Sequence, residues 1–142
     1  MLDELVVALI LLAVTVIIHA SGMTAMLRWV LRSKSFVATR FWNQTWLLVR
    51  AAWCLVGLHL VEVVLWALFF WRQRCLPNLE SSIYFSGVTY TTIGYGDLVL
   101  PSGWRLLGPM EGLSGILMCG LSTGFFFVLV TKLYGVGTRG KP

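Results

Sequence analysis

The sequence predicts an all-α membrane protein with three transmembrane helices and one re-entrant segment. Of its 142 residues, 58% are hydrophobic and 12% are charged, and the mean hydropathy is +0.82. A soluble domain of 15.9 kDa buries only about 70% of its chain surface, which leaves no room for such an excess of apolar side chains. The lipid bilayer is therefore the expected solvent.

The first span runs from Leu5 to Met26, 22 residues without a formal charge. This length crosses the ~30 Å hydrocarbon core of a bilayer. A secretory signal peptide is the alternative, because residues 20–22 are small. Signal peptides begin with basic residues, whereas this chain begins with Asp3 and Glu4, so we expect the helix to be retained.

The second span runs from Trp46 to Trp71 and the third from about Leu106 to Val130, where Lys132 follows. Arg50 lies near one end of the second span, from which its long side chain reaches the interface. Glu62 lies near the middle of the same span, where an ionised side chain costs about 2.5–3.5 kcal/mol.

The connection between these two spans contains the re-entrant segment. Its apolar stretch from Ile83 to Tyr90 is too short to cross the membrane, and Gly94 and Gly96 follow soon after. Asn78 precedes this stretch and is suited to cap a short helix over residues 79–90.

The charges predict the orientation of the chain. Basic residues without acidic ones fill the connection between the first two spans and the C-terminal tail, so both are expected in the cytoplasm and the N-terminus outside. The expected cytoplasmic set is Arg28, Arg32, Lys34, Arg40, Lys132, Arg139 and Lys141. No basic stripe carries the interleaved aromatics of a nucleic-acid-binding module, so no nucleic acid is expected as a partner.

Residues 91–97, called the filter segment below, read Thr-Thr-Ile-Gly-Tyr-Gly-Asp. This heptapeptide resembles the signature of potassium channels, and the order of span, pore loop and span from Trp46 to Leu133 resembles their pore module. A glycine-rich turn is the alternative, but a turn needs no Thr-Thr-aliphatic prefix. The additional first span is similar to small prokaryotic channels related to two-pore-domain channels. The resemblance thus implies a potassium-selective channel in a bacterial plasma membrane.

The resemblance also implies the ion-binding groups. The carbonyls of Thr92, Ile93, Gly94 and Tyr95 and the hydroxyl of Thr92 are expected to bind K⁺, with no other cofactor. Successive carbonyls point the same way only if alternate residues leave the right-handed regions, which Gly94 and Gly96 tolerate. One chain supplies one strand of oxygens and contains no internal repeat, so a homotetrameric pore fold is expected.

Further residues are expected to support the filter segment. Tyr84 occupies the position of a pore-helix aromatic that holds Asp97 in the family, and Thr91 precedes the filter strand. Val88 stands where some relatives have a glutamate that clasps the aspartate, so this clasp is missing. Glu111 is expected behind the filter, in a capping or packing role.

The third span carries residues for which two functions compete. By the resemblance, Gly115 falls at the hinge of the inner helix, and Cys119 and Thr123 fall on its cavity side. Residues 112–115 also match the short serine motif of rhomboid-type intramembrane proteases, which need a histidine on a neighbouring helix and about six spans. A structural membrane anchor is a third hypothesis, but it needs no filter. We expect a channel rather than an enzyme.

Glu62 has two interpretations. His59 lies one turn away on the same face and His19 lies in the first span, so the three residues are candidates for a proton-sensitive cluster that affects gating. Alternatively, a neutral Glu62 bonds a backbone or hydroxyl group and simply joins the first two spans.

The chain is thus divided into three parts. Residues 1–45 form an N-terminal helix with a basic cytoplasmic linker, residues 46–133 form the pore module, and residues 134–142 form a short cytoplasmic tail. No span has a basic residue at every third position, so a voltage sensor of the usual kind is not expected.

Overall fold

The computed structural model describes residues 2–32 and 41–138, with side chains up to residue 133. These residues form four helices: α1 (Leu2–Arg32), α2 (Phe41–Arg72), α3 (Leu79–Tyr90) and α4 (Leu107–Thr138). Three of them, α1, α2 and α4, are long and apolar enough to cross a membrane. The predicted all-α membrane fold is confirmed, and the described ranges contain no strand.

The spanning helices are longer than their apolar runs. Helix α1 extends past Met26 to Arg32, α2 begins at Phe41 rather than Trp46, and α4 continues past Lys132 to Thr138. Hydropathy marks only the part of a helix that lies in hydrocarbon, whereas backbone hydrogen bonding continues through the interface. The predicted linker and tail are therefore partly helical, and residues 33–40 and 139–142 lie outside the described residues.

The short helix α3 has the predicted bounds and cap. The side chain of Asn78 accepts a hydrogen bond from the Ser81 backbone N–H at 2.8 Å, which satisfies one of the free donors of the first turn. Helix α3 contacts α2 and α4, while α1 contacts α2 and α4 on the other side of the bundle.

Apolar side chains form a large cluster at each end of the bundle. The cluster at the filter end contains Ala8, Leu11, Trp66, Phe70, Cys75, Leu76, Leu100 and Leu107. The cluster at the opposite end contains Met26, Val30, Leu47, Ala51, Leu55, Leu129 and Leu133. Between them the apolar cluster is small, with Val63, Tyr90 and Met118. The middle of the bundle therefore has room for polar side chains.

The outer surface of the spanning helices is apolar. Ile17 on α1, Trp53 on α2 and Phe127 on α4 are 64%, 71% and 68% exposed in the single chain. Such a surface is unfavourable in water and suited to lipid or to a neighbouring subunit, in agreement with the assignment of three spans.

Candidate functional site

The backbone of the filter segment alternates in conformation. Thr92, Gly94 and Gly96 have φ angles of 61°, 57° and 78°, in the left-handed region. The expected alternation is present, and it begins at Thr92, two residues before the first glycine. A β-branched residue in this region is strained by roughly 1–2 kcal/mol, so the surrounding structure must hold Thr92 there.

The end of α3 supplies that restraint. The N–H of Thr92 donates to the Thr89 carbonyl at 2.9 Å, and the N–H of Ile93 donates to the Val88 carbonyl at 2.9 Å. This pair of bonds is the Schellman arrangement that ends helices, with Thr92 at the position that usually holds glycine. The hydroxyl of Thr91 donates to the Gly87 carbonyl at 2.7 Å. The first filter residues are thus part of the helix end.

One exposed hydrogen bond links the other end of the filter segment to α3. The Tyr84 hydroxyl donates to Asp97 Oδ2 at 2.8 Å, which is the pair that the resemblance implied. This bond to Asp97 raises the pKa of Tyr84, because a phenolate could not donate and would face the carboxylate. Val88 lines a cavity of about 120 Å³ between α3 and the filter segment, together with Gly94 and Asp97.

Glu111 is fully buried and joins α4 to α3. Its carboxyl bonds the hydroxyl of Ser86, which also donates to the Val63 carbonyl at 2.8 Å. A hydroxyl carries one hydrogen, so both bonds are made only if a protonated Glu111 donates to Ser86. The structure therefore places Glu111 in packing contact behind α3, not in the cap of α4.

A closed ring of hydrogen bonds lies in the middle of the bundle. Glu62, His59 and His19 come together there with two residues that sequence reasoning missed, Tyr90 and Ser122. Glu62 Oε1 lies 2.8 Å from His19 Nδ1, and the Tyr90 hydroxyl donates to Glu62 Oε2. His59 Nδ1 lies 2.9 Å from the Tyr90 hydroxyl. Ser122 Oγ closes the ring, at 3.0 Å from His59 Nε2 and 3.2 Å from His19 Nε2.

The ring draws on every helix. His19 lies on α1, Glu62 and His59 on α2, Tyr90 at the end of α3 and Ser122 on α4. Glu62 and His19 are fully buried, and the His59 side chain is 20% exposed. The three candidate residues lie together, and Glu62 joins the first two spans through the imidazole of His19. The proton sensitivity of the cluster stays a prediction.

Closing the ring requires five hydrogen atoms, one for each bond. The hydroxyls of Tyr90 and Ser122 and two neutral imidazoles supply one each. The remaining hydrogen is a carboxyl proton on Glu62 or, with the same count, a second proton on His19. The closed ring is then neutral as a whole, as burial favours.

Parts of this ring resemble two other kinds of site, a metal-binding site and the triad of a serine hydrolase. The donor atoms of His19, His59 and Glu62 lie within 4.8 Å of one another, close enough to hold a metal ion, but the ring already supplies each of them with a partner. Ser122, His19 and Glu62 are connected like the triad of a serine hydrolase. Ser122 lies inside α4, however, where the backbone N–H groups bond within the helix and are not free to form an oxyanion hole.

Among the described residues, the serine of the rhomboid-like motif contacts no base. Ser114 is buried, and its Oγ has no hydrogen-bond partner among the described residues. His19 and His59 are both engaged in the ring instead.

The predicted hinge position is a point of close packing. A Cβ added at Gly115 would overlap the carbonyl oxygen of Tyr90, and one at Gly112 would lie 3.5 Å from the Thr89 carbonyl oxygen. Helix α4 thus contacts the end of α3 backbone to backbone and continues unbroken through Gly115. Cys119 and Thr123 are exposed in the single chain, away from this contact.

The fold is that of an all-α membrane channel. A family model described as ion channel matches residues 58–132, from the middle of α2 through α3 and the filter segment into α4. This match covers more than half of the 142 residues, and the chain belongs to this ion channel family. Comparison with curated proteins and with solved structures gives no match.

Replacing Gly115 by alanine should lower the free energy of unfolding of the detergent-solubilised protein by about 1–3 kcal/mol, because the new methyl group meets backbone that cannot rotate away. Gly120→Ala is the matched control on the same helix, where an added Cβ meets nothing within 4 Å. Melting temperatures of the two variants test this. Equal values would contradict the packing role of Gly115.

The phenol of Tyr84 should titrate above the ordinary tyrosine pKa, as isolated by subtracting the ultraviolet titration of Tyr84→Phe from that of the unmodified protein. Asp97→Asn should lower this pKa, because the acceptor loses its charge. The folded-state pKa is raised, so the bond stabilises the fold at pH values below the unfolded pKa and is lost as the pH rises through the folded one. An unchanged Tyr84 titration in Asp97→Asn would refute the coupling.

Proposed function

We propose that this chain conducts K⁺ passively through a tetrameric pore lined by backbone carbonyls. The alternation of left-handed residues at Thr92, Gly94 and Gly96 carries the proposal, because it directs successive carbonyls to one side of the strand. A dehydrated K⁺ ion needs neutral oxygen ligands on several sides, and carbonyls provide them without a fixed charge that would trap the ion.

The ion sites are the carbonyls of Thr92, Ile93, Gly94 and Tyr95, with the hydroxyl of Thr92 at the inner end. Gly96 ends the alternation, and Asp97 holds the outer end through Tyr84. These oxygens belong to one strand, and a ring of ligands around an ion needs more than one. Four copies related by a four-fold axis supply it, with the filter segment on the axis and α1 at the periphery.

The exposure of the filter segment supports assembly. Every residue from 91 to 97 is exposed in the single chain, and Tyr95 is 69% exposed. A large aromatic ring of this kind is suited to packing against a neighbouring copy. Cys119 and Thr123 on the exposed face of α4 would then face the cavity below the filter.

The chain lies in the plasma membrane of a bacterium, with the N-terminus outside and the C-terminus in the cytoplasm. The basic side chains of Arg28, Arg32 and Lys132 lie at the end of the bundle opposite the filter segment and support this orientation. We propose no enzymatic activity, since neither serine arrangement described above has the groups that acyl transfer needs.

Reconstituted channels should show reversal potentials that follow the K⁺ gradient rather than the Na⁺ gradient. Tyr95→Asp should reduce the K⁺ over Na⁺ permeability ratio by roughly tenfold or more, because a carboxylate replaces a packed ring beside the ion sites. Ser102→Asp adds the same charge in an exposed loop outside the filter segment and should preserve selectivity. A bi-ionic reversal potential near zero for the unmodified protein would contradict the proposal.

Native mass spectrometry of the purified protein should show a homotetramer, because each chain supplies one strand of the filter. Glutaraldehyde cross-linking in liposomes should give products of up to four chains. Variants with Cys119 or Thr123 replaced by alanine are controls that leave the subunit number unchanged. A stable dimer as the conducting species would be incompatible with this assembly.

A further inference from the structure

The ring of Glu62, His19, Ser122, His59 and Tyr90 lies next to the first residue of the filter segment. We propose that it is a positioning device for the filter and that it holds one exchangeable proton, so that the loss of this proton lowers conduction. The proposal rests on the proposed K⁺ conduction and deepens it, since it concerns how the same filter is regulated.

Tyr90 connects the ring to the filter. Its phenol bonds Glu62 and His59, and its carbonyl lies against Gly115 of α4, so both ends of the residue are held. The next residue, Thr91, caps α3, and Thr92 after it takes the strained left-handed conformation. Movement of the Tyr90 side chain therefore shifts the helix end on which the conformation of Thr92 depends.

The hydrogen count makes the ring depend on a proton. With the fifth hydrogen on Glu62, the bonds run in one direction: Glu62 donates to His19, His19 to Ser122, Ser122 to His59, His59 to Tyr90 and Tyr90 to Glu62. With that hydrogen on His19, the same five bonds form and His19 donates to both Glu62 and Ser122. With four hydrogens, one bond must open and the ring carries a net negative charge. An incomplete buried network is much less favourable than a complete one.

The described residues around Glu62 do not supply a compensating cation. Its ion-pair partners among the described residues are His19 of α1 and His59 of α2, and neither is a permanent charge. From α3 it accepts a hydrogen bond from the neutral phenol of Tyr90, and the titratable α4 group that interacts with it is the thiol of Cys119, which is not a cation. Glu111 of α4 adds another carboxyl near Tyr90. Deprotonation thus creates a negative charge without a fixed positive partner.

In the Glu62→Gln variant, the ring no longer depends on an exchangeable proton. The carboxamide donates an N–H to His19 and accepts from Tyr90 through its oxygen, so it supplies the fifth hydrogen permanently. This variant should form the complete ring at every pH at which the imidazoles stay neutral. The ring geometry is thereby kept while the alkaline titration is removed.

The test measures K⁺ flux into liposomes that contain the full-length protein, between about pH 5 and 10. We expect the flux of the unmodified channel to fall by roughly tenfold at the alkaline end, a change of about 1.4 kcal/mol in the open equilibrium. Glu62→Gln should keep its flux there. Ser122→Ala, which breaks two ring bonds without adding a charge, should reduce flux at every pH.

Two control variants isolate the ring from other titrating groups. Glu111→Gln alters the other buried carboxyl, which bonds Ser86 outside the ring, and should keep the alkaline fall relative to its own maximum. Tyr84→Phe removes the phenol at the outer end of the filter segment and should keep it too. An alkaline fall that disappears in either control and persists in Glu62→Gln would overturn the proposal.

A second measurement separates the ring from conduction. The melting temperature of the detergent-solubilised protein should fall more at alkaline pH in the unmodified chain than in Glu62→Gln, whether or not the protein conducts. Identical melting profiles would overturn the proton-holding ring. Different melting profiles with identical flux profiles would overturn the positioning role. Different melting profiles in a protein without K⁺ flux at any pH would support the ring and refute the proposed conduction instead.

Discussion

Every backbone polar group inside a bilayer must find its partner within the protein, and this requirement governs the end of α3. A helix that ends inside the membrane leaves carbonyls without intrahelical partners. Here the N–H groups of Thr91, Thr92 and Ile93 bond the carbonyls of Gly87, Thr89 and Val88. The first residues of the filter segment therefore supply hydrogen-bond donors to the carbonyls at the end of the helix. The helix in turn fixes the first turn of the filter segment.

The same requirement explains the polar layer between the two apolar clusters. Apolar side chains gain little by exchanging lipid for one another, so they specify weakly how spanning helices are placed. Hydrogen bonds between buried groups are directional, and the ring of Glu62, His19, Ser122, His59 and Tyr90 joins all of the described helices at one level. Trp66 adds a further link, since its indole donates to the Thr15 hydroxyl at 3.1 Å. Polar contacts thus set the register of apolar helices.

Patterns within single segments were sufficient to predict the spans, the cap at Asn78 and the left-handed glycines, because each depends on neighbouring residues. The conformation of Thr92 was missed, since its side chain favours the opposite choice and only the helix end overrides it. Ser122 was missed for another reason. A lone serine in an apolar run gives no signal until the packing of α4 on α1 and α2 brings it between two imidazoles.

The two ends of the filter segment are held very unequally. At the inner end, the phenol of Tyr90 is part of a buried ring and its carbonyl abuts Gly115, so displacement breaks several contacts that water cannot replace. At the outer end, the bond between Tyr84 and Asp97 is exposed, and Val88 supplies no carboxyl beside it. Exposed hydrogen bonds exchange with water at little cost, whereas buried ones do not. The outer end therefore yields before the inner end under thermal motion, and the inner end moves only when the ring itself opens.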